Sequence, residues 1–338
     1  MWRVRPVQQG DLKDLIKLAG DHGSQVSSTL PKTEEALATR IEESVASFAG
    51  QRSPDHYPRF LFVLEDLGRG QVQGVAGIDA RAGNGQPFYN YRMDALIHAS
   101  HELGVSRRVD VLYPSHALTD RTLLGAFAIA PKLRGTEAFE LLSRARLLFI
   151  ARHREWFSER MVVEIQGIQT EDGKVPFWDS LGRHFFNMDF DTADRYSGML
   201  SKTFIAELMP PNPIYVTLLS PQAQEALAQP HPMTKAVMAL LQQEGFHAGH
   251  YVDIFDGGPV LEARTDTLKT LVTGDRKRLR LAETDGGERC LLAASEGEDF
   301  RCILATVSES LNDVLRAPPE VLQELQCESG CDVTVAPL

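Results

Sequence analysis

The chain opens on an alternation of apolar and polar residues, "WRVRPV", and Asp11 then precedes an apolar stripe at Leu12, Leu15, Ile16 and Ala19. Period two predicts a short strand, and spacings of three and four predict an amphipathic helix that Asp11 can cap. A second helix is expected over 33–48. The run "RFLFVLED" (59–66) reads as a buried strand, and after the turn "LGRGQ" its partner is "VQGVAGIDA" (72–80). Two apolar runs around a Gly-containing turn make a hairpin.

From 83 to 118 the pattern dissolves into a polar, aromatic stretch containing "PFYNYR" and "IHAS", with one strand expected at "VDVLYP". Order returns at "LLGAFAIA" (123–130), a strand that ends at Pro131 and feeds "PKLRGTEAFELLSRARLLF", a loop running into an amphipathic helix. A further strand follows at "MVVEIQGI" (161–168), so strand, loop, helix and strand form a βαβ unit of the kind that seats a ligand at its loop. Residues 169–217 are loop-rich, and a helix over 234–244 leads to the strand "HYVDIFDGG", with "FDGGP" a tight turn that uses glycine's freedom at positive φ. After about 273 come short alternating runs, "KRLRLAE", "RCLLAASE", "FRCILATVSE" and "CDVTVAPL". The expected division is therefore an α/β unit over 1–273, with insertions at 83–118 and 169–217, and a small β-rich unit over 274–338.

Composition narrows the functional classes. The net charge of -11 opposes nucleic-acid binding, which needs clustered Lys and Arg. No apolar run approaches the roughly 18 residues that cross a bilayer, so no membrane partner is expected. The N-terminus lacks a signal-peptide core, and the expected location is cytoplasmic. All four cysteines, Cys290, Cys302, Cys327 and Cys331, fall in the last fifty residues with one C-x-x-x-C and no paired C-x-x-C. Reduced thiols are expected there rather than a zinc site. Rossmann, Walker and paired-histidine metal signatures are lacking, so neither a metal nor a bound cofactor is implied.

Five segments in order, "PFYNYR" with "HAS", "PFWDSLGRHFF", "FIAELMP", "HPMT" and "YVDIFDGGP", together with "APKLRG" and the final helix ending "LLQQEGF", resemble the arginine N-succinyltransferase family. The resemblance covers nearly the whole chain and implies a GNAT-like acyl-CoA N-acyltransferase fold with a mixed sheet. It implies transfer of succinyl from succinyl-CoA, a co-substrate rather than a bound cofactor, to the α-amino group of L-arginine, with ornithine the alternative acceptor. It also places a proton-donating histidine at His231 and a backbone contact to the acyl-CoA at Phe127.

The chemistry that such a transfer demands selects further candidates. An α-amino group, with a pKa of about 8, must lose a proton before it attacks a thioester, and the oxyanion that forms needs prepared donors. His231 lies just before a helix, where the helix dipole favours neutral imidazole. Carboxylates on both substrates call for Arg-type clamps, for which Arg92 with Asn90, His98 and Ser100 is the first choice and Arg183 the second. Glu164, Glu207, Asp253 and Asp256 are available to the guanidinium.

One departure stands out. GNAT-like enzymes hold the CoA pyrophosphate on an Arg/Gln-x-x-Gly-x-Gly/Ala loop at a helix N-terminus. Aligning Arg134 with that arginine puts Glu137 and Phe139 at the two glycine positions, with Gly135 displaced. The family is expected to include paired α- and β-type chains, and this departure suggests the α-type member of a homo- or hetero-oligomer. The competing reading is a noncatalytic structural or regulatory subunit beside an active β-type partner.

Overall fold

The computed structural model describes the chain except residues 22–29, 32, 52, 54, 200–202, 283–285 and 311–312. Strand β1 (Trp2–Pro6) leads to helices α1 (Leu12–Asp21) and α2 (Glu34–Phe48), then to the hairpin β2 (Arg59–Asp66) and β3 (Gln71–Asp79). Asp11 does not cap α1 in the expected way. Its carboxylate accepts both Arg5 guanidinium nitrogens, at 2.8 and 2.9 Å, and the Gln8 N–H, because buried Arg5 needs a counter-charge.

Next come β4 (Asn90–Ser100), β5 (Val105–Ser115), β6 (Thr122–Ile129), α3 (Glu137–Arg152) and β7 (Arg160–Glu164). Four short helices follow, α4 (Arg183–Phe186), α5 (Phe190–Met199), α6 (Thr203–Leu208) and α7 (Pro221–Ala226), with β8 (Ile214–Tyr215) before the last. Helix α8 (Lys235–Glu244), the hairpin β9 (His247–Asp253) and β10 (Pro259–Arg264), and α9 (Lys269–Thr273) lead into the C-terminal part. That part holds β11 (Asp275–Leu281), β12 (Glu288–Ala294), β13 (Arg301–Ser310), β14 (Val314–Ala317), α10 (Pro319–Leu325) and β15 (Cys331–Pro337).

The main sheet runs β1-β2-β3-β6-β7-β10-β9-β4-β5-β8, antiparallel throughout except for the pair β6 and β7. Those two strands pair at Thr122↔Met161 and Leu123↔Val162 and then part company. A splayed parallel pair with a helix at its mouth is the α/β, GNAT-like arrangement that the resemblance implies. One face of the sheet carries α1 and α2 through Leu15, Leu37 and Ile41 on Leu61, Val63 and Val75. The other carries α3, whose Phe139, Leu142 and Phe149 pack against Phe60, Phe62 and Ile129.

Two regions differ from the sequence expectation. Residues 90–115 form two eleven-residue strands in one long hairpin, and β4 joins the main sheet through Asn90, Tyr91 and Arg92. The loop-rich 169–217 holds short helices around Trp178, Phe177 and Ile205, which have their own apolar cluster. At the other end, β12, β13, β14, β11 and β15 close into a five-stranded ring. β13 also pairs with β1, at Arg3↔Ile303 and Val4↔Cys302, so the ring is continuous with the main sheet.

Candidate active site

The parting of β6 from β7 creates a slot, and the sequence fixes what lines each wall. On the β6 wall, Ala126 adopts φ +48, and the register against β3 skips from Val75↔Ala128 to Gly77↔Gly125. Ala126 and Phe127 therefore stand opposite the single residue Ala76. A bulge of this kind kinks the strand and re-aims its backbone. Buried Arg146 of α3 holds the kink: its Nη1 donates to Gly77 O at 3.2 Å, its Nε donates to Ser143 O, and its guanidinium lies 5.3 Å over the Phe127 ring. Burial pulls its pKa down to about 9.

On the β7 wall, Ile165 donates its N–H to Pro259 O of β10, so by strand alternation the carbonyl of Gln166 faces the opposite way, into the slot. There it accepts the N–H of His231 at 2.8 Å, and Gly167 bridges Pro230. Extending the register Leu123↔Val162 by four residues sets Phe127 level with Gln166, within the one-residue offset of the bulge. Counted along that register, Phe127 and the Gln166 carbonyl that holds His231 fall at the same level of the two strands.

His231 is half-buried, and its Nδ1 accepts the Met233 N–H at 3.2 Å as the cap of a short helical turn. Desolvation holds its pKa below the ordinary histidine value. With Nδ1 accepting, the neutral ring carries its proton on Nε2.

Below the histidine, the same wall gathers acids. Asn90 Nδ2 donates to Glu164 Oε1 at 3.0 Å although β9 and β10 separate their strands in the sheet, so the sheet curls tightly here. Asn90 is buried, and its Oδ1 has no hydrogen-bond partner among the described residues. Asp253 pairs with Asn90 across β9 and β4, and its Oδ1 accepts the N–H groups of Phe255 and Asp256. Asp256 accepts Gly167 N–H and Gly258 N–H at 2.8 and 2.7 Å, which makes it the brace of the "FDGGP" turn. Burial, and then the charge of Asp253, push its pKa well above the usual carboxylate range. Gly258 is required by space, since a Cβ there would stand 2.1 Å from Ile165 O.

The mouth of the slot is the turn into α3. Gly135 has φ +71, Thr136 makes no side-chain cap, and its hydroxyl donates to Leu133 O instead. Arg134 Nε is buried without a partner among the described residues, and desolvation lowers its pKa. The two residues at the expected glycine positions face elsewhere. Phe139 is buried against the Phe127 ring, centroids 5.4 Å apart, and the Glu137 carboxylate pairs with Arg289 of β12 at 2.7 Å. Phe139 is thus a core residue and Glu137 one half of an ion pair, directions that linear alignment does not give. Arg144 and Arg146, too far along the helix to reach its start, point inward, Arg144 onto Glu244 and Thr270.

Other sequence candidates scatter. Arg92 lies on the Asn90 face of β4, exposed, beside Asp94 at 3.5 Å and over Tyr113. His98 and Ser100 lie eight and ten residues along the same strand, ~26 and ~33 Å from Asn90 at the rise of an extended chain, so the structure does not bring them to the slot. The length of half-exposed β4, in a stretch where the sequence predicts a strand only at "VDVLYP", is the reason. Arg183 on α4 and Glu207 on α6 are exposed. Gln166, Met233 and Arg289 were not foreseen. The first two act through backbone atoms, which leave no side-chain signal, and the third acts across 152 residues.

The family described as "Arginine N-succinyltransferase beta subunit" matches residues 2–270, and the C-terminal domain of that family matches 276–337. A protein of Yersinia pestis named arginine N-succinyltransferase is 38% identical over 346 residues, covering 100% of this chain and 98% of its own. Arginine N-succinyltransferase subunit alpha of Pseudomonas aeruginosa is 38% identical over 331 residues, covering 98% of each. Among solved structures, that of the arginine/ornithine succinyltransferase subunit AI of Pseudomonas aeruginosa superposes with a TM-score of 0.90 at 34% identity, covering 100% of this chain and 98% of that one.

Proposed function

The chain belongs to the arginine N-succinyltransferase family, and we propose that it transfers succinyl from succinyl-CoA to the α-amino group of L-arginine within the slot between β6 and β7. The observation that supports this placement is that the β6 bulge at Ala126 and Phe127 and the His231 N–H bound to Gln166 O beyond β7 both lie where β6 and β7 no longer pair. One wall offers kinked backbone to a thioester, and the other offers an imidazole N–H.

The CoA phosphates belong at the start of α3, where Arg134, whose Nε has no partner among the described residues, and the first helical N–H groups supply positive potential. The acyl thioester then lies along β6, with the backbone at Phe127 polarising its carbonyl. Glu164 and Asp253 suit the guanidinium, with Asn90 Oδ1 as a further acceptor, and exposed Arg92, two residues along β4 from Asn90, is the cation assigned to a carboxylate. Asp256 is occupied as a brace and is not part of this set.

In the reaction the deprotonated amine attacks the carbonyl carbon, and the oxyanion is held by backbone donors. Collapse breaks the C–S bond. The departing sulfur takes a hydrogen bond from His231 Nε2–H, and the proton lost by the new amide nitrogen ends on the CoA thiolate through solvent. A neutral imidazole that keeps its own proton performs this stabilising role.

Support for the catalytic reading over a noncatalytic subunit comes from the loop, since Phe139 packs inward and Arg289 neutralises Glu137. The Pseudomonas relative is named a subunit, which supports assembly with a related chain; the matched family is described as beta and that relative as alpha, so the two names do not separate the types. The test is to purify this chain alone and follow CoA release from succinyl-CoA with arginine, ornithine and lysine. Turnover with arginine is expected. Turnover that needs an added related chain would overturn the claim that this slot works unaided, and a preference for ornithine would reassign the acceptor.

A further inference from the structure

The active-site geometry leaves the C-x-x-x-C pair of the C-terminal ring unused. Cys327 follows Gln326, the left-handed residue that ends α10, and Cys331 opens β15. The turn between them is tied at every step. Cys327 N–H donates to Leu322 O, Gly330 N–H to Leu279 O at 2.7 Å, Cys331 N–H to Glu328 O, and Ser329 Oγ accepts Leu281 N–H. This scaffold sets the two sulfurs 2.6 Å apart, well inside the ordinary separation of unbonded sulfurs. Both thiols are partly exposed, whereas Cys290 and Cys302 are buried. A metal is not the natural reading, because no group of three or more His, Cys, Asp or Glu among the described residues could hold one.

We propose that Cys327 and Cys331 form a reversible intramolecular disulfide, which makes this turn a modification site for low-molecular-weight disulfides of the glutathione type. The attacking sulfur is Cys331, whose pKa is held down by its hydrogen bond with Cys327, a backbone hydrogen bond and the Arg152 charge; Cys327 is pushed up by the same contact. The Cys331 thiolate attacks one glutathione sulfur, the glutathione S–S bond breaks, and one glutathione leaves as thiolate. Cys327, losing its proton to solvent, attacks the Cys331 sulfur of the mixed disulfide and expels the second glutathione. The protein loses two protons and two electrons, and glutathione disulfide becomes two glutathiones.

The whole chain is incubated with glutathione disulfide or reduced glutathione, quenched with N-ethylmaleimide, and analysed by intact and peptide mass under native conditions. The expected product lacks two hydrogens, loses N-ethylmaleimide addition at Cys327 and Cys331 together, and is reversed by dithiothreitol. In Cys327→Ser, whose substitution is conservative and at a partly exposed position, one stable glutathione adduct on Cys331 is expected instead. Retention of both reactive thiols in the wild type, a disulfide-linked dimer on a non-reducing gel, or a stable adduct on the wild-type protein would each overturn the proposal.

Discussion

At the scale of single residues, His231 decides what kind of acid–base help the slot can give. An imidazolium acting as general acid would lose activity as pH rises through its pKa. A neutral ring with Nδ1 bound to Met233 N–H and the proton on Nε2 would not, and its lowered pKa keeps it neutral at and above neutrality. We therefore expect kcat to hold or rise from pH 7 to 9, with amine deprotonation, in wild type. His231→Ala should lower kcat by ~100-fold, within the range for removing one aimed donor. His231→Gln, whose side-chain amide N–H reaches a similar position, should recover part of that loss, whereas equal losses in both variants would favour proton transfer by the ring. The same residue contributes to pH-dependent stability with a defined sign. Since the unfolded chain binds the histidine proton first, this contribution is complete above a pH of about 6.5 and is lost as pH falls below it.

At the scale of elements, the turn into α3 shows what sequence could and could not say. Strong periodicity made β2, β3, β6 and α8 legible to within a residue or two, and α3 legible as a helix without its end. β4 was missed because "NYRMDALIHAS" is exposed along much of both faces, so no alternation betrays it. The slot's histidine was legible through family resemblance, and its placement against Gln166 O was not, because a backbone carbonyl carries no residue signature. Glu137 and Phe139 were seen at the right positions but without their directions, and direction decides their effect. Phe139 is an inward core residue. Glu137 matters only through Arg289, and that pair gives a prediction. In Arg289→Ala the freed carboxylate stands near the proposed phosphate position. At about 5 Å and a water-like dielectric the repulsion is ~0.8 kcal/mol per charge pair, so KM for succinyl-CoA should rise about fourfold at low salt and less at high salt. Adding Glu137→Gln should restore it. Unchanged KM in Arg289→Ala would show that the phosphates bind elsewhere.

At the scale of the whole molecule, the C-terminal ring and the acyltransferase sheet share one core. Phe300, the residue just before the ring strand β13, packs edge-on against Phe62 of β2 and Phe149 of α3, at centroid distances of 5.6 and 5.2 Å. Leu291, Ala293, Cys302 and Ala336 belong to the same cluster, and Arg144 of α3 donates to Pro337 O at 2.8 Å while pairing with Glu244 of α8. Removing the ring would uncover this apolar surface, open the β1 edge and strip a buried guanidinium of one acceptor. The ring and sheet are thus expected to unfold together. Phe300→Ala should cost about 3–5 kcal/mol, the usual range for emptying a buried aromatic site. The discriminating measurement is how that loss distributes: urea unfolding followed by far-ultraviolet circular dichroism and by tryptophan fluorescence, to which Trp2 and Trp156 beside this core contribute, should shift in step for both signals. Two separated transitions, with only one displaced by the substitution, would mean that the ring folds as an independent unit that docks on the sheet after both are formed.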